Sequence, residues 1–253
     1  MKDIQLMEGD CLDLMKNIPD ESVDMILADL PYGTTESKWD AVIPFELLWN
    51  QYKRILKNKN IVALFGSEPF STVQRMSNFS EYKYDWYWKK TKANGWQHSK
   101  NKPMTSIEII SIFSSNPIGH ASILGNKRMT YNPQGLTSLG KKVVKGYWRG
   151  EGMGKGSRLN QVGKEYESFT GFPNNILEYP NIHGKGNFHP TQKPVALLKH
   201  LILTYTKEGD VVLDNTMGSG STMVACKHTN RKGIGIEKEQ KYYDIAVERV
   251  ENE

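Results

Sequence analysis

Cysteine is scarce in this chain of 253 residues: Cys11 and Cys226 are the only two. They lie far apart, and the six histidines are scattered rather than clustered. A disulfide framework and a zinc site both lack support, so no metal is expected and the thiols read as reduced ones of an intracellular protein. Long apolar runs are missing too; none approaches the roughly 20 residues that cross a bilayer. The opening residues, Met1-Lys2-Asp3-Ile4-Gln5-Leu6, contain neither a basic leader nor an apolar signal core. The expectation is a cytoplasmic protein without a membrane partner.

Aspartate is absent from residues 119–186, which hold ten Lys or Arg against four Glu. That stretch carries a formal +6 while the whole chain carries +5, leaving −1 on the remainder. A basic insert on a nearly neutral body is the distribution expected where one part of a surface touches phosphate. Solubilising lysines on a flexible loop are the plain alternative. Thirteen of the 68 residues are glycine, no strand or helix period persists, and the stretch is too long for an ordinary connection. A small recognition region that orders against its partner fits this composition.

On either side the pattern alternates. Apolar and β-branched runs predict strands at 4–7, 23–28, 61–65, 82–88, 107–113, 211–213 and 233–236. Helical spacing predicts helices at 11–17, 43–56, 68–76, 195–205, 221–228 and 242–250, three of them with proline near the start. Such alternation implies βα units and a mostly parallel sheet shared by both ends of the chain. The length suits one α/β domain, residues 1–118 and 187–253, carrying the region 119–186 as an insert.

Two loops follow buried-strand runs. Asp29-Leu30-Pro31-Tyr32-Gly33 comes early, and Asp214-Asn215-Thr216-Met217-Gly218-Ser219-Gly220-Ser221-Thr222 comes some 180 residues later. In an open α/β sheet, loops at the carboxyl ends of strands form the ligand crevice. The later loop lacks the lysine of a phosphate cradle, and Met223 stands where the dinucleotide fingerprint has its third glycine. Glu237 closes the next strand, well placed for two ribose hydroxyls. S-adenosylmethionine has a ribose but no phosphate, and it carries a sulfonium and an amino-acid tail. Acidic groups and free amides suit it: Asp10, Asp214 and Glu237, with close backbone approach at Gly218 and Gly220. Helix capping or turn formation is the ordinary alternative for Asp10 and Asp214.

The early loop suits a planar base. An exocyclic amine is a weak nucleophile, and the Asp29 carboxylate and Leu30 carbonyl can accept its two hydrogens. Pro31 fixes the backbone, and Tyr32 offers a ring on which a flipped base can stack. A plain strand-to-turn sequence is the alternative. Together the two loops argue for methyl transfer to nucleic acid. Nearby, Lys89, Lys90 and Lys92 are candidate phosphate contacts, whereas Tyr82, Tyr84, Trp86 and Trp88 or their alternates read as core strand positions.

These segments resemble the amino-methyltransferases that act on DNA, specifically their β group, in which the catalytic segment precedes the cofactor loop. Gly9-Asp10 resembles the adenine-side segment and Asp29-Leu30-Pro31-Tyr32 the catalytic tetrapeptide. His189-Pro190-Thr191-Gln192-Lys193-Pro194 resembles the segment that helps seat the methionine part of the cofactor, through Thr191 and Lys193. Asp214 to Thr222, with Met217, Gly218, Gly220 and Thr222, is similar to the principal cofactor loop, and Glu237 to its ribose-binding acid. The resemblance implies a Rossmann-like α/β sheet, S-adenosylmethionine as cofactor, double-stranded DNA as partner and an inserted target-recognition region. Asp29 in place of serine implies adenine N6, with cytosine N4 the nearest rival. Two departures stand out: Leu30 where the family usually has proline, and Asn215-Thr216 where it usually has Pro-Phe.

The lack of a Pro-Cys nucleophile counts against methylation at cytosine carbon 5, which needs covalent attack on the ring. In the insert, Lys141, Lys142 and Lys145 are candidate phosphate contacts, while Arg128, Arg149 and Arg158 can read guanine edges or bind phosphate. A restriction-modification setting, solitary action and a homodimer all stay open. So do a non-catalytic binding module and an RNA or protein amide as substrate, although the long basic insert favours DNA.

Overall fold

The computed structural model describes residues 3–34, 40–144, 165–182, 188–189 and 191–253. In chain order the elements are β1 (Ile4–Glu8), α1 (Cys11–Leu14), β2 (Val23–Ala28), α2 (Phe45–Ile55), β3 (Leu56–Gly66), α3 (Phe70–Ser77), β4 (Tyr82–Asn94) and β5 (Thr105–Phe113). They continue with α4 (Ala121–Leu124), β6 (Thr137–Val144), β7 (Glu165–Thr170), β8 (Ile176–Tyr179), α5 (Val195–Tyr205), β9 (Val211–Asp214), α6 (Ser221–His228), β10 (Lys232–Glu237) and α7 (Gln240–Asn252). Eight strands form one sheet in the order β1-β10-β9-β2-β3-β5-β4-β8. Only β5 runs against its neighbours. The carboxyl ends of the other seven therefore share one edge.

Both faces of the sheet are covered, which is why its central strands read as continuous apolar runs. On one face, Met25, Leu27, Ile61, Ala63 and Phe65 pack with Leu197, Leu201, Tyr205, Met223 and Ala246 of α5, α6 and α7. On the other, Ile26, Ala28, Val62, Leu64 and Leu213 pack with Met15, Leu48, Tyr52, Ile55 and Phe70, from α1 to α3 and the turn after α1. Pro44, Pro69 and Pro194 each stand immediately before a helix, where a missing amide hydrogen costs nothing.

Two features differ from the sequence expectation. β4 runs six residues past the predicted end, through Lys89, Lys90 and Lys92, because Lys89 and Lys90 pair with β8, Lys89 and Asn94 with β5, and the Lys92 backbone with the Asn181 side chain. Backbone pairing outweighs the polarity of the side chains there. The region 119–186 is also not wholly separate. β8 completes the main sheet beside β4, and Met129 and Leu177 are buried in the main core. Among the described residues of that region, β6 and β7 pair apart, as a two-stranded antiparallel sheet.

The turn from β9 into α6 takes positive φ at Gly218 (52°) and Gly220 (78°). A Cβ on Gly220 would lie 2.9 Å from the Ala246 Cβ. Backbone strain and overpacking thus act together at this position. Gly220→Ala is expected to lower unfolding stability by about 2 kcal/mol, measured by urea denaturation; an unchanged midpoint would show that the turn relaxes freely.

Candidate active site

One cavity of about 660 Å³ opens along the shared carboxyl edge. Its lining includes Asp10 after β1, Asp29 to Tyr32 after β2, Lys90 on β4, Glu108 on β5, Thr191 and Lys193 before α5, Asp214 to Gly218 after β9, and Glu237 at the end of β10. The two loops singled out from sequence thus meet in one space. Thr216 joins them, its hydroxyl donating to the Asp29 backbone carbonyl at 3.0 Å.

On the β9–β10 side the carboxylates organise backbone. Glu237 accepts from the Gly218 amide at 2.9 Å and from the Glu239 amide at 2.8 Å. Asp214, 5% exposed, accepts from the Thr222 hydroxyl at 2.6 Å and the Thr216 amide at 3.1 Å. Burial pushes the Asp214 carboxyl up to about 7, against the pull of those two donors. Burial likewise raises Glu237. Asp10 caps α1 through the Leu12 amide at 3.0 Å and meets Lys238 at 3.2 Å. The capping role open to Asp10 is thus present, and Asp10 lines the cavity as well. Met217 is buried, and Arg249 clamps the turn by donating to the Ser219 carbonyl at 2.7 Å.

The β2 side is a chain of charges. Asp29 accepts from the Tyr32 hydroxyl at 2.7 Å on one oxygen and from Lys193 Nζ at 2.5 Å on the other. Lys193 also pairs with Glu108 at 2.8 Å, and Glu108 with Lys90 at 2.7 Å. Burial pushes Asp29 up, and the Lys193 ammonium draws it back. Burial would raise Glu108 too, but Lys193 and Lys90 hold it below its ordinary range. The Tyr32 ring stacks on Phe70 at 4.8 Å. Asp40 holds the loop, accepting from the Tyr32, Gly33 and Thr34 amides at 2.8, 3.0 and 2.8 Å.

Two lysines depart from expectation. Lys193 turns to Asp29 and Glu108 on the β2 side, because a buried ammonium needs counter-charges and finds them there. Lys90 is no exposed phosphate contact. Its side chain is 11% exposed, is committed to Glu108 and lies 4.9 Å from the Trp88 ring centre. Lys89 remains at the surface in an exposed pair with Glu178, and Lys92 is exposed. Lys141 and Lys142 are exposed on β6, with Lys142 3.5 Å from Glu165. Arg128 lines a separate hollow of about 310 Å³ with Tyr84 and Trp86, toward the start of β4. Lys145, Arg149 and Arg158 lie outside the described residues.

Glu108 and Asp40 escaped the sequence reading, which gives Thr216 a place in the later loop and no role. Glu108 carried a signal, since it is the single charge within the apolar run Ile107-Glu108-Ile109-Ile110.

A profile of the DNA methylase family, the N6/N4 type, matches residues 23–248. The chain belongs to that family. It is 27% identical to the type II methyltransferase M.HpaI of Haemophilus parainfluenzae, over 99% of this chain and 75% of that protein. Its fold matches crystallised M1.HpyAVI in complex with S-adenosylmethionine, with a TM-score of 0.61, 22% identity and coverage of 97% and 99% of the two chains. It also matches the PvuII DNA methyltransferase, described as cytosine-N4-specific, with a TM-score of 0.64, 16% identity and coverage of 97% and 86%. The sheet is thus the Rossmann-like sheet of these methyltransferases. Among the described residues no helix is long and apolar enough to cross a membrane.

The raised Asp214 carboxyl has a consequence for the methylase without ligands. Its folded value, about 7, exceeds the ordinary 3.8, so the native state holds the proton more tightly than the unfolded chain. The stability it contributes is full below the ordinary value and is lost as pH rises to about 7. Asp214→Asn should remove this dependence, so the variant should gain on wild type as pH rises from 4 toward 7 in roughly that window. Urea denaturation at several pH values measures it; parallel curves would refute the assignment.

Proposed function

We propose that this chain is an S-adenosylmethionine-dependent DNA methyltransferase acting on the exocyclic amine of a flipped base, with adenine N6 the reading that Asp29 favours. The observation that carries the proposal is the single cavity in which Asp29 and the Gly218 turn meet, bridged by Thr216. When bound, S-adenosylmethionine supplies a methyl group activated on a cationic sulfonium. The residues suit it: a cavity within the ~300–1,000 Å³ range of ligand sites, no phosphate-cradle lysine, and carboxylates at Asp10, Asp214 and Glu237. Glu237 is assigned the ribose hydroxyls and Asp214 the ammonium of the amino-acid tail. Met217, Gly218, Thr222 and Thr191 shape the surrounding wall, while Gly220 lies behind it against Ala246 and acts through the turn. The complex named for M1.HpyAVI supports this choice of cofactor.

At the reacting amine, the Asp29 carboxylate and Leu30 carbonyl accept the two hydrogens as the nitrogen gains sp3 character. Pro31 holds the backbone between them and Tyr32. The Tyr32 ring, already backed by Phe70, presents a flat surface to the base. Cytosine N4 is the second reading. The cytosine-N4-specific PvuII enzyme, whose fold this chain shares, supports it, and the amine chemistry is the same for both bases. Double-stranded DNA is met through Lys89, Lys92, Lys141, Lys142 and Lys145, with Arg128, Arg149 and Arg158 as candidate base readers or phosphate contacts.

Digestion of treated DNA to nucleosides and mass spectrometry identifies the base; N4-methylcytosine would replace the adenine reading by the second, and no methylated nucleoside would overturn both. Asp29→Ala should retain cofactor and DNA binding while kcat falls by roughly a hundredfold or more; near-normal turnover would remove Asp29 from the chemistry. Replacing Lys141, Lys142 and Lys145 with alanine should flatten the salt dependence of DNA binding, by about one unit of slope for each phosphate that these lysines neutralise. A wild-type slope would send the DNA path elsewhere.

A further inference from the structure

Each Asp29 oxygen already holds a donor, Tyr32 on one and Lys193 on the other, so a base amine that approaches on the Lys193 side competes with a buried ammonium for Asp29. The Lys193 ammonium is the donor that can move. Its three protons meet three acceptors: Asp29 at 2.5 Å, Glu108 at 2.8 Å and the Thr191 carbonyl at 3.3 Å. Its side chain is 10% exposed and that of Glu108 only 8%, so water offers little compensation when one acceptor is withdrawn. Lys90 anchors the far oxygen of Glu108, with its own side chain 11% exposed. The four residues come from four segments: the end of β2, β4, β5 and the approach to α5. Two cations and two carboxylates balance within one buried cluster.

We propose that Glu108 is a positioning residue for methyl transfer, providing the Lys193 ammonium with a second berth so that Asp29 can exchange this cation for the amine of the incoming base. The proposal rests on the methyltransferase reading above and deepens it. In the resting site Lys193 marks the acceptor position of Asp29. As the amine enters, Lys193 keeps Glu108 and the Thr191 carbonyl, while Asp29 keeps the Tyr32 hydroxyl and gains the amine hydrogens, so the ammonium is not left without a counter-charge. Lys90 keeps Glu108 ionised for this role. Without Glu108, Asp29 would be the only counter-charge of Lys193 among the described residues, and the exchange would strand an ammonium. Tyr32 remains on the other Asp29 oxygen throughout. His189 beside Lys193 stays neutral near pH 7, because burial first and the Lys193 charge second lower it to about 4. Asp214 is the remaining ionisable group facing Asp29, from the β9 side.

The test uses the full chain, with S-adenosylmethionine and duplex DNA. Glu108→Gln keeps the shape and removes the charge. It should lower kcat by about tenfold or more while changing cofactor and DNA dissociation constants by less than about twofold. The acid limb of its kcat profile should move to lower pH, because Asp29 loses a neighbouring negative charge. Lys90→Gln should move the same limb to higher pH, because the cluster loses a positive charge. Opposite shifts are the signature of the charge balance; a role in packing alone would not produce them. Wild-type kcat in Glu108→Gln, or shifts that are absent or share one direction, would overturn the proposal. If Glu108→Gln fails to bind cofactor, Lys90→Gln decides: an upward shift sustains the proposal and an unmoved limb overturns it. Wild-type protein that leaves DNA unmethylated would instead overturn the methyltransferase reading itself.

Discussion

Negative charge crowds one edge of the sheet, and the rest of the site follows from how that crowding is relieved. Asp10, Asp29, Asp40, Glu108, Asp214 and Glu237 all line the cavity, against Lys90, Lys193 and Lys238. The parallel strands cause the crowding, since each delivers its terminal residues to the same edge. The two sides relieve it differently. Around Asp29, two buried lysines balance two buried carboxylates. Among the described residues, the lysine that lines the cavity around Asp214 and Glu237 is Lys238, which is paired with Asp10 and two-thirds exposed. That side is left with raised carboxyls and backbone amides, the complement of a ligand carrying positive charge and ribose hydroxyls. The asymmetry suits each side to a different ligand, a cationic one by Asp214 and a neutral amine by Asp29.

The departures at Asn215 and Thr216 gain meaning from this arrangement. A Pro-Phe pair would stiffen the turn through a fixed φ and an aromatic ring. This chain uses hydrogen bonds instead. The Tyr52 hydroxyl of α2 donates to the Asn215 side chain at 2.5 Å, and Thr216 donates to the Asp29 carbonyl at 3.0 Å. Both partners lie on the β2 half of the molecule, so the turn after β9 is tied directly to the loop after β2. Leu30 sits 3% exposed in the core, so its side chain anchors the loop where the usual proline would have restricted it.

Much of this was legible in the sequence because it is local. Strand runs and helical spacing located nearly every element of the main sheet, and α5 and α6 begin and end where their periodicity predicts. Glycines and carboxylates after apolar runs marked the cavity edge. What escaped depends on partners far away in sequence. β8 is four residues long, and only its pairing with β4 makes it part of the main sheet. Lys89 to Asn94 read as polar surface, yet they extend a strand because β8 pairs with the first two of them and β5 with the two ends.

Lys193 and Lys90 show the same limit at the level of a single side chain. A lysine in sequence reads as a cation for whatever anion the protein meets, and DNA supplies many. Whether the ammonium reaches solvent is decided by the carboxylates folded beside it. A charge within an apolar strand, as at Glu108, is costly to bury and persists when opposite charges come to meet it. Glu108 therefore explains both lysines at once: it draws Lys90 inward from one side and Lys193 from the other. Lys89, Lys92, Lys141 and Lys142, proposed phosphate contacts, have no buried acid beside them among the described residues and stay exposed, toward the outer strand β8 and on β6 rather than in the cavity. On the proposed reading, a duplex held by that outer surface presents one nucleotide to the cavity, so that phosphate recognition and amine chemistry fall on different parts of the molecule.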